Sequence, residues 1–329
     1  MDNKVVSNGI LGEVLSHYDC SLENSTVSSL GNGLINWTFL VKNPDRTFVL
    51  QRINHQVFKK PIQVINNAEL ISEHLCSKQR KNEYNLAPIA QLPTNKNQAF
   101  ALVDNAHWRA LEYIPKCYTV ESIEEITQAE QVGNAFAQFT AALSDFSATK
   151  LAEIIPDFLN LQSRLEQLDE AINNNLSNRL ASCQHIVDYY LAQQEFINEV
   201  ASITTKLPMH VTHNDTKINN LLFCSETEAP IAVIDLDTCM PGYLMNDFGD
   251  MVRTCCSTEP EDGKNLDAMS VRLDVFSALA SAYVKGFGDK ITPVELKSLV
   301  IGARLLPFML SIRFLTDYIN GDVYFHAAH

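Results

Sequence analysis

His213-Asn214-Asp215-Thr216-Lys217-Ile218-Asn219-Asn220, followed by Ile231-Ala232-Val233-Ile234-Asp235-Leu236-Asp237, is the part of the chain around which the rest is arranged. The carboxylate of Asp215 has a lysine two residues on and a carboxamide five residues on, and a further carboxylate comes fifteen residues after that. Asn-Asp strings favour turns, because both side chains bond their own backbone. Ile231, Val233, Asp235 and Asp237 share one face of a strand by its period of two. Two carboxylates closing a run otherwise fit for a core are costly to bury unless a cation meets them. A metal ion answers that cost at Asp235, with Asp237 alternatively a partner for a nearby donor.

H-x-D-x-K-x-x-N followed by an aspartate is the layout of a phosphoryl-transfer loop and its metal-binding strand. It gives each part a task. Asp215 accepts or orients the substrate hydroxyl proton, Lys217 sits by the transferred phosphoryl group, and Asn220 and Asp235 hold Mg2+ against the ATP phosphates. Such a reaction needs charge placed at fixed points more than it needs covalent chemistry.

The loop resembles that of the aminoglycoside phosphotransferase and choline kinase superfamily, relatives of protein kinases, whose loop usually reads H-G-D-x-x-x-x-N. Asn214 stands where that pattern has glycine. Within the superfamily the chain is most similar to bacterial N-acetylhexosamine 1-kinases. The supporting stretches are Gly33 to Val41, Val49 to Asn54, the catalytic block through Asp247-Phe248-Gly249-Asp250, and Arg313 to Tyr318. The resemblance implies an α+β, two-lobed protein-kinase-like fold, with a small β-rich N-lobe over 1–115 and a larger helical C-lobe over 116–329. It implies ATP and Mg2+, and phosphorylation of the anomeric hydroxyl of an N-acetylhexosamine to the sugar 1-phosphate. The rival acceptors are an aminoglycoside, choline or an amino alcohol. A non-catalytic pseudokinase is the rival of another class, and the complete set Asp215, Asn220 and Asp235 argues against it.

Further positions follow from the same resemblance. Gly31, Gly33, Asn36 and Thr38 lie against the nucleotide, and backbone groups of Glu112, Tyr113 and Ile114 meet adenine at the hinge. Arg313 and Tyr324 contact the hexosamine. His213, Asp237 and Asp247 support the site from behind. The resembled sugar kinases continue past the Tyr324-Phe325 region, so a pocket wall supplied by that extension is expected to be made differently here.

The bulk composition fits this. A chain of 329 residues suits two lobes. Hydrophobic content of 46% and charged content of 19% are those of a globular protein. A net charge of −14 argues against a nucleic-acid partner, since phosphate binding wants a basic surface. Met1 to Val5 lacks the charged-then-apolar order of a signal peptide. No apolar run approaches the roughly 18 residues of a membrane span. The 8 cysteines include no C-x-x-C pair, and reduced thiols in a cytoplasmic protein are expected. Composition leaves the oligomeric state open.

In chain order, a short helix over Ile10 to Tyr18 precedes the Gly31-x-Gly33 turn and two strands, Ile35 to Val41 and Thr47 to Ile53. Glycines between strands let backbone N–H groups approach a phosphate. In kinases the second strand offers a lysine to the phosphates. Here its available cation is Arg52, with Gln51 on the opposite face, and Arg52 is assigned by elimination. A helix follows Pro61, from which Glu69 or Glu73 is to pair with that cation. Leu86 to Ile89, Ala99 to Val103 and Trp108 to Ile114 read as strands, and helices follow. The stripes run over 123–146, over 158–172 to a stop at Asn173-Asn174-Asn175, and over 186–200. Two more cover 270–283 and 294–319, where Pro307 should kink or split the helix. Asp247-Phe248-Gly249 lies twelve residues beyond Asp235 and does not end an apolar strand. Asp247 or Asp250 is therefore expected to cap the following helix and steady the catalytic loop.

Overall fold

The computed structural model describes residues 6–31, 35–259 and 263–325. The helices, in order, are α1 (Asn8–Ser16), α2 (Pro61–Arg80), α3 (Ile126–Ala142), α4 (Leu161–Asn174), α5 (Leu180–Leu191), α6 (Gln194–Thr204), α7 (Leu244–Cys255), α8 (Leu273–Phe287) and α9 (Pro293–Asn320). The first seven strands are β1 (Thr26–Ser29), β2 (Trp37–Lys42), β3 (Thr47–Arg52), β4 (Gln91–Leu92), β5 (Ala101–Val103), β6 (Ala106–Glu112) and β7 (Cys117–Tyr118). Then come β8 (His210–Thr212), β9 (Leu221–Cys224), β10 (Pro230–Val233) and β11 (Met240–Gly242).

Two compact units result: Met1–Thr119 with Asp145–Ile155 and Leu221–Met240, and Val120–Ser144 with Pro156–Asn220 and Pro241–His329. Both units are therefore discontinuous in sequence, two later segments returning to the first. The reason is local. Asn67 on α2, buried, donates to the carbonyls of Ala152 (2.8 Å) and Cys239 (3.0 Å) and accepts from the Ala152 N–H (2.9 Å). The Ala87 N–H donates to the Ile231 carbonyl, and β7 pairs with β9.

The first unit is built on an antiparallel sheet ordered β1-β2-β3-β6-β4, with β5 also on β6. Alternation sends Phe39, Val41, Phe48, Leu50, Trp108 and Ala110 to one face, where Leu11, Val14 and Leu15 of α1 cover them. Register aligns two rows across three strands: Trp37, Arg52 and Trp108, and beside them Thr38, Gln51 and Arg109. The expected strand at 86–89 is unpaired, the pairing falling instead at β4.

The second unit is helical. A methyl group on Gly249 of α7 would lie 2.2 Å from the Gly302 carbonyl oxygen of α9, so these helices approach at backbone distance. The expected stripe at 186–200 is two helices. Buried Cys183, Val187 and Tyr190 keep helical spacing, but the next buried position, Phe196, is out of phase with them. α9 opens on a capping box of Thr292 and Glu295 with Pro293 at its first position. It runs through Pro307 unsplit, carried by the buried packing of Leu305, Leu306 and Met309. By length and hydropathy it is also apolar enough to cross a membrane, contrary to the sequence expectation, with half of its most apolar window buried inside the unit. α4 ends where the asparagines predict, with Asn175 in the left-handed region.

Candidate active site

The catalytic loop belongs to the second unit and leaves β8 through Asn214 at φ 62°. Such a conformation favours glycine and, among other residues, asparagine, which explains how Asn214 replaces the usual glycine without reshaping the turn. Asp247, in the first turn of α7 and 1% exposed, holds this backbone. Its carboxylate accepts the N–H of His213 (2.9 Å) and of Asn214 (2.7 Å), and its carbonyl accepts the Thr216 hydroxyl (2.6 Å). Burial pushes its carboxyl up to about 6, while His213 and the two backbone bonds pull the other way. The ring of His213 is packed edge-on by Phe136 and Phe139. Asp247 thus holds the loop backbone through three hydrogen bonds, with the His213 ring packed beneath it against two phenylalanines.

Asp215, Lys217 and Asn220 are brought together on that loop. Lys217 Nζ lies 3.1 Å from Asp215 Oδ1. Asn220, in a short 3-10 turn, donates through Nδ2 to the Asp215 carbonyl (2.7 Å) and to Asp215 Oδ2 (3.0 Å). With its nitrogen facing Asp215, the carboxamide has its oxygen as the atom suited to a hard cation. Asp250, one turn beyond Asp247, is 5% exposed. Its Oδ1 accepts from Arg253 Nε (3.0 Å), while Oδ2 has no hydrogen-bond partner among the described residues. Burial raises its carboxyl, Arg253 opposes this, and Asp215 adds to it. Its place beside the catalytic carboxylate, rather than as a helix cap, was not legible from spacing.

In the first unit the strand read over Ile231 to Asp237 ends at Val233. The chain turns at Asp235, φ 61°, into a 3-10 turn at Leu236–Thr238, so Asp235 and Asp237 do not share a strand face. Asp237, 1% exposed, is held by Arg109 Nη2 and by Asn36 Nδ2 (2.6 Å). Asn36 Oδ1 accepts the Asn54 N–H (3.0 Å), and Thr38 Oγ1 accepts from Gln51 Nε2 (3.1 Å). Gln51 Oε1 in turn accepts from Arg109 Nε (3.0 Å) and Nη2 (2.7 Å). Asn36 and Thr38 are members of this internal network.

The cation assigned by elimination lies in the row of indoles. Arg52 stacks over Trp37 at 4.7 Å and reaches Trp108 at 5.9 Å, on the sheet face that α1 covers. Arg109, which spacing did not single out, lies in the other row beside Gln51 and is 2% exposed. Neither Glu69 nor Glu73 makes an ion pair among the described residues. They line a small surface pocket with Ser72, Cys76 and Arg80, and burial followed by repulsion from Glu73 raises the Glu69 carboxyl. At the hinge the Glu112 N–H is bonded to the Ala90 carbonyl and the Ile114 carbonyl accepts from Cys117 Sγ, with Tyr113 half-buried between them. Gly31 has φ 70°, as a glycine turn requires, and Gly33 lies outside the described residues.

Arg313 and Tyr324 meet, both in the second unit. Asp317 does not pair with Arg313. It accepts the N–H groups of Tyr324 (2.8 Å) and Phe325 (2.7 Å), turning the chain back past Gly321, which is left-handed at φ 97°. The Arg313 guanidinium then lies 5.6 Å from the Tyr324 ring, 5.2 Å from Phe325 and 6.0 Å from Phe158. Arg164, absent from the sequence expectations, stands close by. Its Nη2 donates to the Asp157 (3.0 Å) and Phe158 (2.9 Å) carbonyls, and burial, then Arg313, lower its pKa.

Known structures share this fold. A microcompartment-associated aminopropanol kinase matches at 18% identity and TM-score 0.56, covering 96% of this chain and 95% of its own. The choline kinase of Cryptosporidium parvum Iowa II matches at 14% identity and TM-score 0.58, over 94% and 91%. A spectinomycin phosphotransferase in complex with ADP and spectinomycin matches at 14% and 0.55, over 98% and 96%. At these identities the likeness establishes the kinase-like fold. The model of the phosphotransferase enzyme family matches residues 26–269, a span that takes in the glycine turn, the catalytic loop and Asp235, and the chain belongs to that family.

Proposed function

We propose that the protein is an ATP-dependent small-molecule kinase that phosphorylates the anomeric hydroxyl of an N-acetylhexosamine. The observation that carries the first part is the loop itself: Asp215 bonded to Lys217 and Asn220, on a backbone fixed by Asp247. In the transfer, the acceptor oxygen attacks the γ-phosphorus of ATP and the bond from that phosphorus to the bridging oxygen breaks. Asp215 takes the hydroxyl proton, and ADP leaves with the electron pair of the broken bond. Lys217 stands beside the charge carried by the phosphoryl oxygens. Asn220 and Asp235 each carry the kind of hard oxygen donor that Mg2+ takes, and the ion, when bound, would supply charge neutralisation to the phosphates. The solved relatives described with ADP, and those that act on alcohol-bearing molecules, support this choice of co-substrates.

The sugar rests on Arg313 and Tyr324. A guanidinium fork beside aromatic rings suits ring oxygens and an amido group. The neighbouring guanidiniums of Arg164 and Arg313 disfavour a cationic acceptor such as choline, whose charge they would repel. The eight cysteines, all free thiols, support a cytoplasmic setting. ADP release with a panel of hexoses, N-acetylhexosamines, choline, amino alcohols and aminoglycosides tests the assignment. Turnover confined to N-acetylhexosamines, with a sugar 1-phosphate as product, is the expected result. Turnover of choline or an aminoglycoside alone would replace the sugar, and no turnover of any acceptor would return the substrate to the unknown.

A further inference from the structure

We infer that Arg109 on β6, held by Asp237, is the group that receives the nucleotide phosphates in this protein, in place of a cation on the neighbouring strand β3. This rests on the ATP-dependent reading above and names a residue within it. Three observations converge.

The first is the guanidinium itself. Arg109 is 2% exposed, and its guanidinium carries a fixed fork of donors with no acceptor of its own. Its Nε and Nη2 are bonded to Gln51 and Asp237, but Nη1 is buried with no hydrogen-bond partner among the described residues. A buried charged donor without an acceptor is costly, and native structures retain one where a ligand or a water completes it. Phosphate oxygens match a guanidinium better than any neutral acceptor does.

The second is where the network runs. Asp237 lies two residues beyond Asp235, the proposed metal ligand, and it also binds Asn36, five residues beyond the left-handed Gly31. Arg109 is thereby tied through one carboxylate to both segments assigned to the nucleotide. Gln51 occupies the strand position directly opposite Arg109 and orients it through two bonds, a task for a neutral acceptor.

The third is the disposition of the other charged groups. Arg52, on the opposite row, is stacked on two indoles. Glu69 and Glu73 of α2 make no ion pair among the described residues. The carboxylate that steadies the cation is instead Asp237, donated by the segment after β10.

Calorimetric titration of the full-length protein with MgATP, MgADP and adenosine tests this. Removing Arg109 alone strands a buried Asp237, so the decisive variant is Arg109→Met combined with Asp237→Asn, with Arg109→Lys as a milder change that keeps the charge, each checked by thermal melt. The expected result for the double variant is a loss of MgATP and MgADP affinity of about tenfold or more with adenosine unchanged. Arg109→Lys, which loses the fork, should weaken MgATP by a smaller factor and likewise spare adenosine. Equal weakening of adenosine and MgATP would mark a purely structural pair and overturn the inference. So would MgATP affinity within twofold of wild type in Arg109→Lys and the double variant, or a loss seen in Arg52→Gln instead. If wild type binds MgATP and only the Arg109 variants fail to respond, the inference falls and the kinase reading stands. If wild type binds no nucleotide, both fall.

Discussion

The catalytic loop and the strand network of the first unit carry charge in opposite ways. On the loop, Asp215, Lys217 and Asn220 are within six residues of one another, and their backbone is fixed by one carboxylate from the next helix. In the sheet, Asn36, Gln51, Arg109 and Asp237 are scattered over two hundred residues and meet only because strand register and a return segment bring them together. A local constellation is written into spacing. A cross-strand one is written into pairing, which spacing does not reveal.

The sharpest way to break that comparison is at the two aspartates a motif search would confuse. Asp235→Ala should abolish Mg2+-dependent nucleotide binding and leave the metal-free thermal melt near that of wild type. Asp247→Ala should do the reverse. It removes a buried carboxylate that accepts two backbone N–H groups, and hydrogen bonds to charged groups contribute about 1.5–3 kcal/mol each, so unfolding should become easier by about 3 kcal/mol or more. Titration with MgATP and a melt on each variant decide it. Loss of the metal in Asp247→Ala and not in Asp235→Ala would reverse the assignment.

The same carboxyl gives a pH test. Asp247 ionises near 6 in the folded chain and near 3.8 when unfolded, so the native state holds its proton more tightly. The stability it contributes is therefore greatest below about 3.8, declines as pH rises toward 6, and is level above that. Against Asp247→Asn, which does not titrate, the wild-type advantage should shrink by about 3 kcal/mol across that window. A gap that is constant or grows with pH would contradict the burial argument.

The smallest expected effect lies at the proposed acceptor subsite. Arg313→Ala should raise the KM for an N-acetylhexosamine or lower kcat/KM by about tenfold, about 1.4 kcal/mol, with the KM for ATP hardly moved. Steady-state kinetics with each substrate varied in turn distinguish this from an unchanged sugar response, which would detach Arg313 and Tyr324 from the acceptor.

What was legible in the sequence follows the same division. The helices at 61–80, 126–142 and 161–174, the strands at 37–42 and 47–52, and the supporting place of Asp247 were readable from period, caps and turn residues. Arg313 and Tyr324 were paired by the resemblance, with a helix stop between them that lets the chain turn back, while the part of Asp317 in making that turn carried no signal in spacing. Arg52 was chosen because it stood on the expected strand. No one-dimensional rule says that Arg109, fifty-eight residues beyond Gln51, lies opposite it in register. Asp237 was misplaced beside Asp235 because the period of two was carried past Val233, where the left-handed turn at Asp235 ends the strand. Asp247 and Asp250 were left as alternatives because position near a helix start does not tell which carboxylate faces the loop.

The turnover number of Asp215→Asn, measured on the same preparation as its affinity for MgATP and its thermal melt, tests the proposed role of Asp215 most directly. Loss of a positioned base lowers turnover by roughly 10²–10⁴-fold. The predicted result is a drop of that size with folding and nucleotide affinity retained, since Asn keeps the shape that Asn220 and Lys217 surround. Turnover within a few-fold of wild type would remove Asp215 from the chemistry and contradict the central claim.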